Sequence, residues 1–379
     1  MHNHFRLLHF TLKRDLGSIY TTIFLRTFAI SLISLFVPIY FLEKVGADFS
    51  DVLVYLTSLY FFTCVGYFFG AYLGAYIGIK KLIMLSIPFY ILYYIFVYNL
   101  DILNVSYIFL GGILAVGEAL FWVAYNTDFA KFSDRRHRIE EVKVWFVLAS
   151  AIGILGPFIG GLLLTYLGFP LVFIIVISLF FLSIFPLFHL REKKTKYRLK
   201  LGNIFRKGNF ENSPRYLVQG MRHLVSGVFW PLFVFYILRE YASVGFIFST
   251  AALFSSFVIW VIGNQLTTVN KEVLTDFSSM IHGVVSFVKV FLTNFAQIFF
   301  VALPSYITYG VSEIAVNALS FDQANKTRVI EFFVFREIIF SIARISLLVI
   351  ILFSGLDLLA GLRLSFILLG FVSLIQKLF

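Results

Sequence analysis

The 379-residue chain has a single cysteine, Cys64, and only 13% of its residues are charged. One cysteine cannot close an internal disulfide, and no Cys/His cluster stands at metal-ligand spacing, so no metal or other cofactor is expected. A soluble domain carries about 25% charge. Half of that excludes a water-soluble globule. Disorder is excluded as well, because it requires low hydrophobicity. The phosphate-cradling Gly-Lys-Ser/Thr loop is missing, which argues against ATP as an energy source. No nucleophile motif or metal triad appears, so an enzyme is not expected. The stretch from Met1 to Leu16 lacks the short apolar core and small-residue site of a cleaved signal peptide.

What is present is apolar: 60% hydrophobic and 19% aromatic residues, with a mean hydropathy of +0.91. A helix needs about 20 apolar residues to cross a bilayer. Apolar runs broken by charge or turn residues predict twelve spans, over 19–42, 52–79, 82–98, 106–127, 144–167, 171–190, 216–238, 243–266, 277–299, 301–321, 332–353 and 359–378. Between the ninth and tenth, only Thr293, Asn294 and Gln297 mark a junction. The net charge of +11 reads as basic cytoplasmic loops rather than a nucleic-acid surface. With a cytoplasmic N-terminus, the outer loops hold only Lys44, Arg239 and Arg363 among basic residues, and Glu43, Asp48, Asp51, Asp101, Glu240 and Asp357 among acids. An even span count then puts both termini in the cytoplasm.

The longest loop carries Arg191, Lys193, Lys194, Lys196, Arg198, Lys200, Arg206, Lys207 and Arg215 near mid-chain. It reads as a positive-inside linker with a secondary capacity to dock on anionic lipid. The halves on either side resemble each other. Arg26 and Arg222 lie in the first and seventh spans, Glu118 and Glu313 in the fourth and tenth, and Asn126 pairs with Asn317 and Glu140 with Glu331 at offsets of roughly 190–196. The matched features indicate a duplicated six-span unit of the kind seen in transporters. The expected organisation is an N-terminal six-helix bundle over 1–190, a basic linker over 191–213 and a C-terminal six-helix bundle over 214–379. The fold class is all-α, with twelve transmembrane helices in two pseudo-symmetric bundles.

Two motifs carry a resemblance to the major facilitator superfamily. After the second span that family usually reads Gly-x-x-x-Asp-Arg-x-Gly-Arg-Lys. Here the stretch from Gly70 keeps Gly78, Lys80 and Lys81, but Ala75 and Tyr76 stand at the Asp and Arg positions. The fifth span contains Gly153, Gly156, Pro157, Gly160 and Gly161, whose Gly-Pro-x-x-Gly-Gly core is similar to the family's antiporter motif. The resemblance implies alternating access, and it implies that spans 1, 4, 7 and 10 line a central cavity. The antiporter motif implies export, with ordinary small-residue helix packing as the competing reading. Arg336, Glu337 and Arg344 of span 11 are similar to an uncharacterised prokaryotic branch of the family.

Ionisable residues at bilayer depth cost about 2.5–3.5 kcal/mol even on insertion scales, and so mark function by default. Arg26, Glu118, Arg222 and Glu313 are the clearest, and two pairs are expected, Arg26–Glu118 and Arg222–Glu313. Opening such a pair frees a carboxylate to take a proton. Trp122 and Trp230 are candidate cavity aromatics suited to lipophilic or cationic solutes, while the two arginines suit an anion. Phe121, Tyr125, Phe229 and Tyr236 accompany them, and Pro38 and Pro231 bend spans 1 and 7. Arg336 and Glu337 are expected near a cytoplasmic gate, with Gly153, Gly156, Pro157, Gly160, Gly161 and Arg344 as gate or hinge. His282 and Lys289 of span 9 read as peripheral, with Lys289 snorkelling. The expected function is a monomeric secondary active transporter in the cell membrane, exporting a small-molecule substrate in exchange for protons. An uptake symporter for a sugar, amino acid or organic anion is the alternative, and a transport-dead receptor or scaffold is the alternative of another class.

Overall fold

The computed structural model describes residues 14–132, 138–188 and 199–376. Asp134, Arg135, Arg136, the basic run from Arg191 to Arg198 and both chain ends lie outside the described residues. Within them the regular structure is helical, with no strand. Nine of these helices are long and apolar enough to cross a membrane.

The first, α1, covers Arg14–Ile33. It is continued, after a turn, by a short helix Val37–Tyr40 with Pro38 in its first turn, and by a π turn Phe41–Val45. Helices α2 (Phe49–Ile77) and α3 (Ile79–Tyr98) meet at Gly78, whose φ of +91° only glycine adopts freely. Next comes α4, Tyr107–Phe132. The helical run Arg138–Phe188 is too long for one crossing. Its apolar part, Ser150–Phe188, is 39 residues, about 58 Å at 1.5 Å per residue, roughly twice a bilayer core. It breaks at Gly168, where φ is +73°, just before Pro170, giving limbs α5 and α6. The predicted boundary between spans 5 and 6 lies at this break.

In the second half, α7 is Ser213–Leu224 continued through a π turn, Val225–Phe229, into Trp230–Leu238. Pro231 cannot donate to the preceding turn, which favours the wider π geometry before it. Then follow α8 (Tyr241–Thr268), α9 (Lys271–Lys289), α10 (Phe295–Lys326), α11 (Val329–Phe353) and α12 (Leu358–Ile375). The α9–α10 junction corrects the sequence reading by about ten residues. The apolar run continues to Phe299, but the chain turns at Val290 to Asn294. Asn294 accepts from the Gln297 N–H at 3.0 Å, and Gln297 accepts from the Thr293 N–H at 2.9 Å. These three polar residues cap a new helix, and the cap overrides the apolar pattern.

The packing of one half recurs in the other. α1 lies on α5, α2 on α4, and α3 on α4 and α6; α7 lies on α11, α8 on α10, and α9 on α10 and α12. The halves meet along two seams, α5 against α8 and α2 against α11, with α11 also touching α4. The end where α1 begins is here called the near end, and the end at the α1–α2 connection the far end. At the near end, residues 199–212 dock on the second half. The Lys200 N–H donates to Glu331 Oε1, Gln323 donates to the Gly208 carbonyl at 2.7 Å, and Ile204 and Asn209 are buried. Arg215 forms a bidentate pair with Asp276 on α9, which Gln376 also reaches.

Candidate transport site

In the first half, α1 and α4 bring Arg26 and Glu118 together, with Arg26 Nη2 3.3 Å from Glu118 Oε1. Arg26 also donates to the hydroxyl of Tyr90 on α3, and its guanidinium lies over Phe121, 3.4 Å from the ring centroid. Tyr90 is fixed in turn by stacking on Phe180 of α6. Glu118 Oε2 accepts from Trp122 Nε1 at 2.6 Å, a contact that the i, i+4 spacing on α4 makes natural. Arg26 is buried, whereas the Glu118 side chain is 25% exposed and Trp122 38%. The cation is sealed behind the carboxylate and the indole.

The second half is built differently. The expected Arg222–Glu313 pair does not form. Arg222 is fully buried and donates to Gln219 Oε1 (2.8 Å), Ser279 Oγ on α9 (2.7 Å) and Ser312 Oγ on α10. Successive helix residues point about 100° apart, so with Ser312 turned to Arg222, Glu313 is aimed elsewhere. Its carboxylate takes Gln219 Nε2, His223 Nε2 at 2.9 Å and Asn317 Nδ2 at 2.9 Å. Gln219 therefore stands between arginine and glutamate, bonding both. Gln219 and His223, four apart on α7, share the face that meets Glu313.

From Glu313 the bonds run on in both directions. Arg344 Nη2 lies 2.9 Å from His223 Nδ1, and its guanidinium sits over the Tyr60 ring of α2 at 4.9 Å. On the other side, Asn317 Oδ1 accepts from Arg336 Nη1 (3.3 Å), Arg336 Nη2 pairs with Glu337 at 2.7 Å, and Tyr67 of α2 donates to Glu337 Oε2 at 3.2 Å. The chain of polar contacts starts and ends on α2, crossing the seam between halves twice. Arg336 and Glu337 are buried in this chain, at the seam where α11 meets α2. Partly exposed groups of the site include Glu118, Trp122, Glu313 at 33% and His223 at 21%, together with Tyr60, Asn317 and Arg344.

Other sequence-predicted residues are placed elsewhere. Trp230 is fully buried against Phe233, Phe248 and Phe366, so it packs the second half rather than lining an open cavity. The π turn just before it changes the helix phase, which a straight-helix reading does not anticipate. Lys289 does not snorkel. It is fully buried with its ammonium 4.6 Å from the Trp230 centroid. His282 is buried too, with Nδ1 2.9 Å from Thr308 Oγ1. The glycines of α5 divide. Gly156 abuts Ser31 and Gly160 abuts Leu32 of α1, while Gly161 meets Tyr241 and Gly245 of α8, and Gly245 lies against the Pro157 carbonyl. Gly153 faces open space. At the far end Arg239 and Glu43 pair across the halves at 2.7 Å, and Tyr241 packs on Phe36, Phe169 and Phe235. Sequence reasoning did not single out His223, Gln219, Tyr90, Tyr60, Tyr67 or the role of Asn317. The Arg222-His223 dipeptide at bilayer depth was the available signal for the first.

The sequence pattern described for the Major Facilitator Superfamily matches residues 19–261, well over half of the chain. The chain belongs to the Major Facilitator Superfamily. Among curated proteins it is 24% identical over 262 residues to the uncharacterised protein YqgE of Bacillus subtilis (strain 168); the match spans 63% of this chain and 59% of YqgE. Among solved structures, one of a bacterial homologue of the human drug peptide transporters PepT1 and PepT2 superposes with a TM-score of 0.71 at 12% identity, covering 96% of each chain. That likeness concerns the fold alone. Membership of the superfamily makes the chain a multi-pass membrane protein with the fold of a secondary transporter.

Proposed function

We propose that this member of the superfamily is a twelve-span transporter of two six-helix bundles, divided at the 191–213 linker, with both termini in the cytoplasm. It acts as a monomer in the cell membrane and exports a small solute by alternating access, coupled to protons. The observation that carries the reading is the pair of partly exposed carboxylates, Glu118 and Glu313, at matched places on α4 and α10. Each is held by several donors, with an arginine buried behind it. A carboxylate at bilayer depth that keeps contact with the cleft is a natural proton acceptor. The export direction rests on the α5 motif.

The geometry also bears on the solute. Arg26 is covered by Phe121 and Tyr90, and Arg222 is saturated by Gln219, Ser279 and Ser312, so neither presents a free guanidinium to an anion. The accessible pair is the Glu118 carboxylate and the Trp122 indole, a combination that suits an amphipathic cation. The test is flux in proteoliposomes carrying an imposed proton gradient, with tetraphenylphosphonium, glucose, alanine and succinate as probes. Gradient-driven movement of tetraphenylphosphonium, lost in Glu118→Gln, is expected. Movement of succinate or alanine instead favours the uptake reading. No movement of any probe, or undiminished coupling in Glu118→Gln, contradicts the proposal.

A further inference from the structure

We propose that His223 is a proton site of the transport cycle and that its protonation loosens the seam between α2 and α11, a role that presupposes the transporter reading above. The hydrogen bonds fix the state of the ring. Arg344 is a donor only, so His223 Nδ1, at 2.9 Å, must accept from it. The ring proton therefore sits on Nε2, which lies 2.9 Å from Glu313 Oε2 and 3.1 Å from Gln219 Nε2; the amide nitrogen is a donor only, so the proton goes to the carboxylate. The two neighbours hold the imidazole in one neutral tautomer.

A second proton can go only to Nδ1. There it meets the Arg344 N–H, so two donors and two positive charges face each other with no acceptor between them. The contact must break. Glu313, on the opposite nitrogen, stabilises the imidazolium once Arg344 has left. Every element around the ring contributes to this balance. Arg222 and Gln219 lie on α7 itself. Glu313 and Tyr309 face it from α10, and Arg344 and Phe340 from α11, with Arg336 behind Asn317. Tyr60 of α2 lies beyond Arg344.

Arg344 is the link to the seam. Tyr60 against Arg344 and Tyr67 against Glu337 are both seven residues apart on their helices, and they run in opposite order, so α2 and α11 are antiparallel in a fixed register. Releasing Arg344 from His223 removes the anchor that holds its guanidinium over Tyr60. The proton on α7 is thereby felt at the contact between halves, without any movement of the buried Arg222.

The test uses the full chain in lipid, with Cys64→Ser as background and spin labels at Ser50 and Ser354, both exposed and in the same register at the far end. Between pH 8 and pH 5.5 the inter-label distance is expected to lengthen. In His223→Gln, whose amide can accept from Arg344 and donate to Glu313 without titrating, the short distance should persist at both pH values. His223→Lys should show the long distance already at pH 8. A wild-type distance that does not change, or a transition that survives in His223→Gln, overturns the proposal. Should the variants not fold, ¹⁵N NMR of histidine-labelled wild type decides. An Nε2–H tautomer at pH 8 that becomes doubly protonated by pH 5.5 supports the role, and a ring neutral throughout overturns it. Failure of the transporter reading has a different signature: the seam transition intact, with no solute moved by a proton gradient.

Discussion

Gly161 and Gly153 lie eight residues apart on α5 and give a controlled comparison. A Cβ built on Gly161 falls 2.6 Å from the Tyr241 carbonyl oxygen and 3.2 Å from Gly245 Cα, both backbone atoms of α8. Ordinary contact begins at 3.4 Å, so Gly161→Ala must push α5 and α8 apart by about 0.8 Å or distort one of them. Overpacking of this kind costs about 1–3 kcal/mol. Gly153→Ala meets nothing within 4 Å. Both substitutions gain the same helix propensity, about 0.8–1.0 kcal/mol, so the difference between the two variants isolates the packing cost. Gly153→Ala should equal or exceed wild type in stability, and Gly161→Ala should fall about 1–3 kcal/mol below Gly153→Ala. Thermal melting of purified protein in one detergent reads this difference as a displacement of on the order of a few degrees. Equal melting of the two variants would refute the close seam, and with it the reading of these glycines as the surface on which the halves meet.

Other outcomes follow from the same geometry. Lys289→Met removes a buried ammonium that has no hydrogen-bond acceptor among the described residues. Since burying an unpaired charge is costly, the variant should melt at or above wild type and keep its flux; lower stability would show that the ammonium is needed. Arg239→Gln breaks an exposed pair with Glu43. It should cost under about 1 kcal/mol while shifting labels at the far end towards longer distances, and an unchanged distance distribution would remove this pair from the closure. Asn294→Ala deletes the cap of α10 and should lower stability by about 1 kcal/mol, with no loss meaning that the α9–α10 junction is set by packing instead.

Much of this architecture is legible in the sequence because bilayer physics leaves few choices. A run as apolar as that before Phe188 must fold back, and Gly168 and Pro170 mark where. Arg26 and Glu118 could be matched because each stands alone at depth on its helix. Legibility fails where direction around a helix matters. Arg222 and Glu313 have comparable depths, yet Ser312 intervenes on one side and Gln219 on the other, and spacing alone does not reveal that. Trp230 is misplaced by straight-helix reasoning because a π turn precedes it. His223 is overlooked because a neighbouring arginine supplies the more conspicuous charge. Lys289 reads as a snorkelling residue near a helix end, whereas the Trp230 and Phe366 rings give its ammonium a buried face to rest on. In each case the missing information is which neighbour a side chain meets, set by tertiary packing rather than by the local pattern.

Transport as proposed here requires Glu118 to couple a proton to solute movement. The most direct measurement is proton flux in proteoliposomes loaded with a pH-sensitive dye, on adding tetraphenylphosphonium to wild type and to Glu118→Gln. Solute-dependent proton movement is expected in the wild type and none above the protein-free background in the variant, with both proteins equally folded. Proton movement of equal size in the two would contradict it.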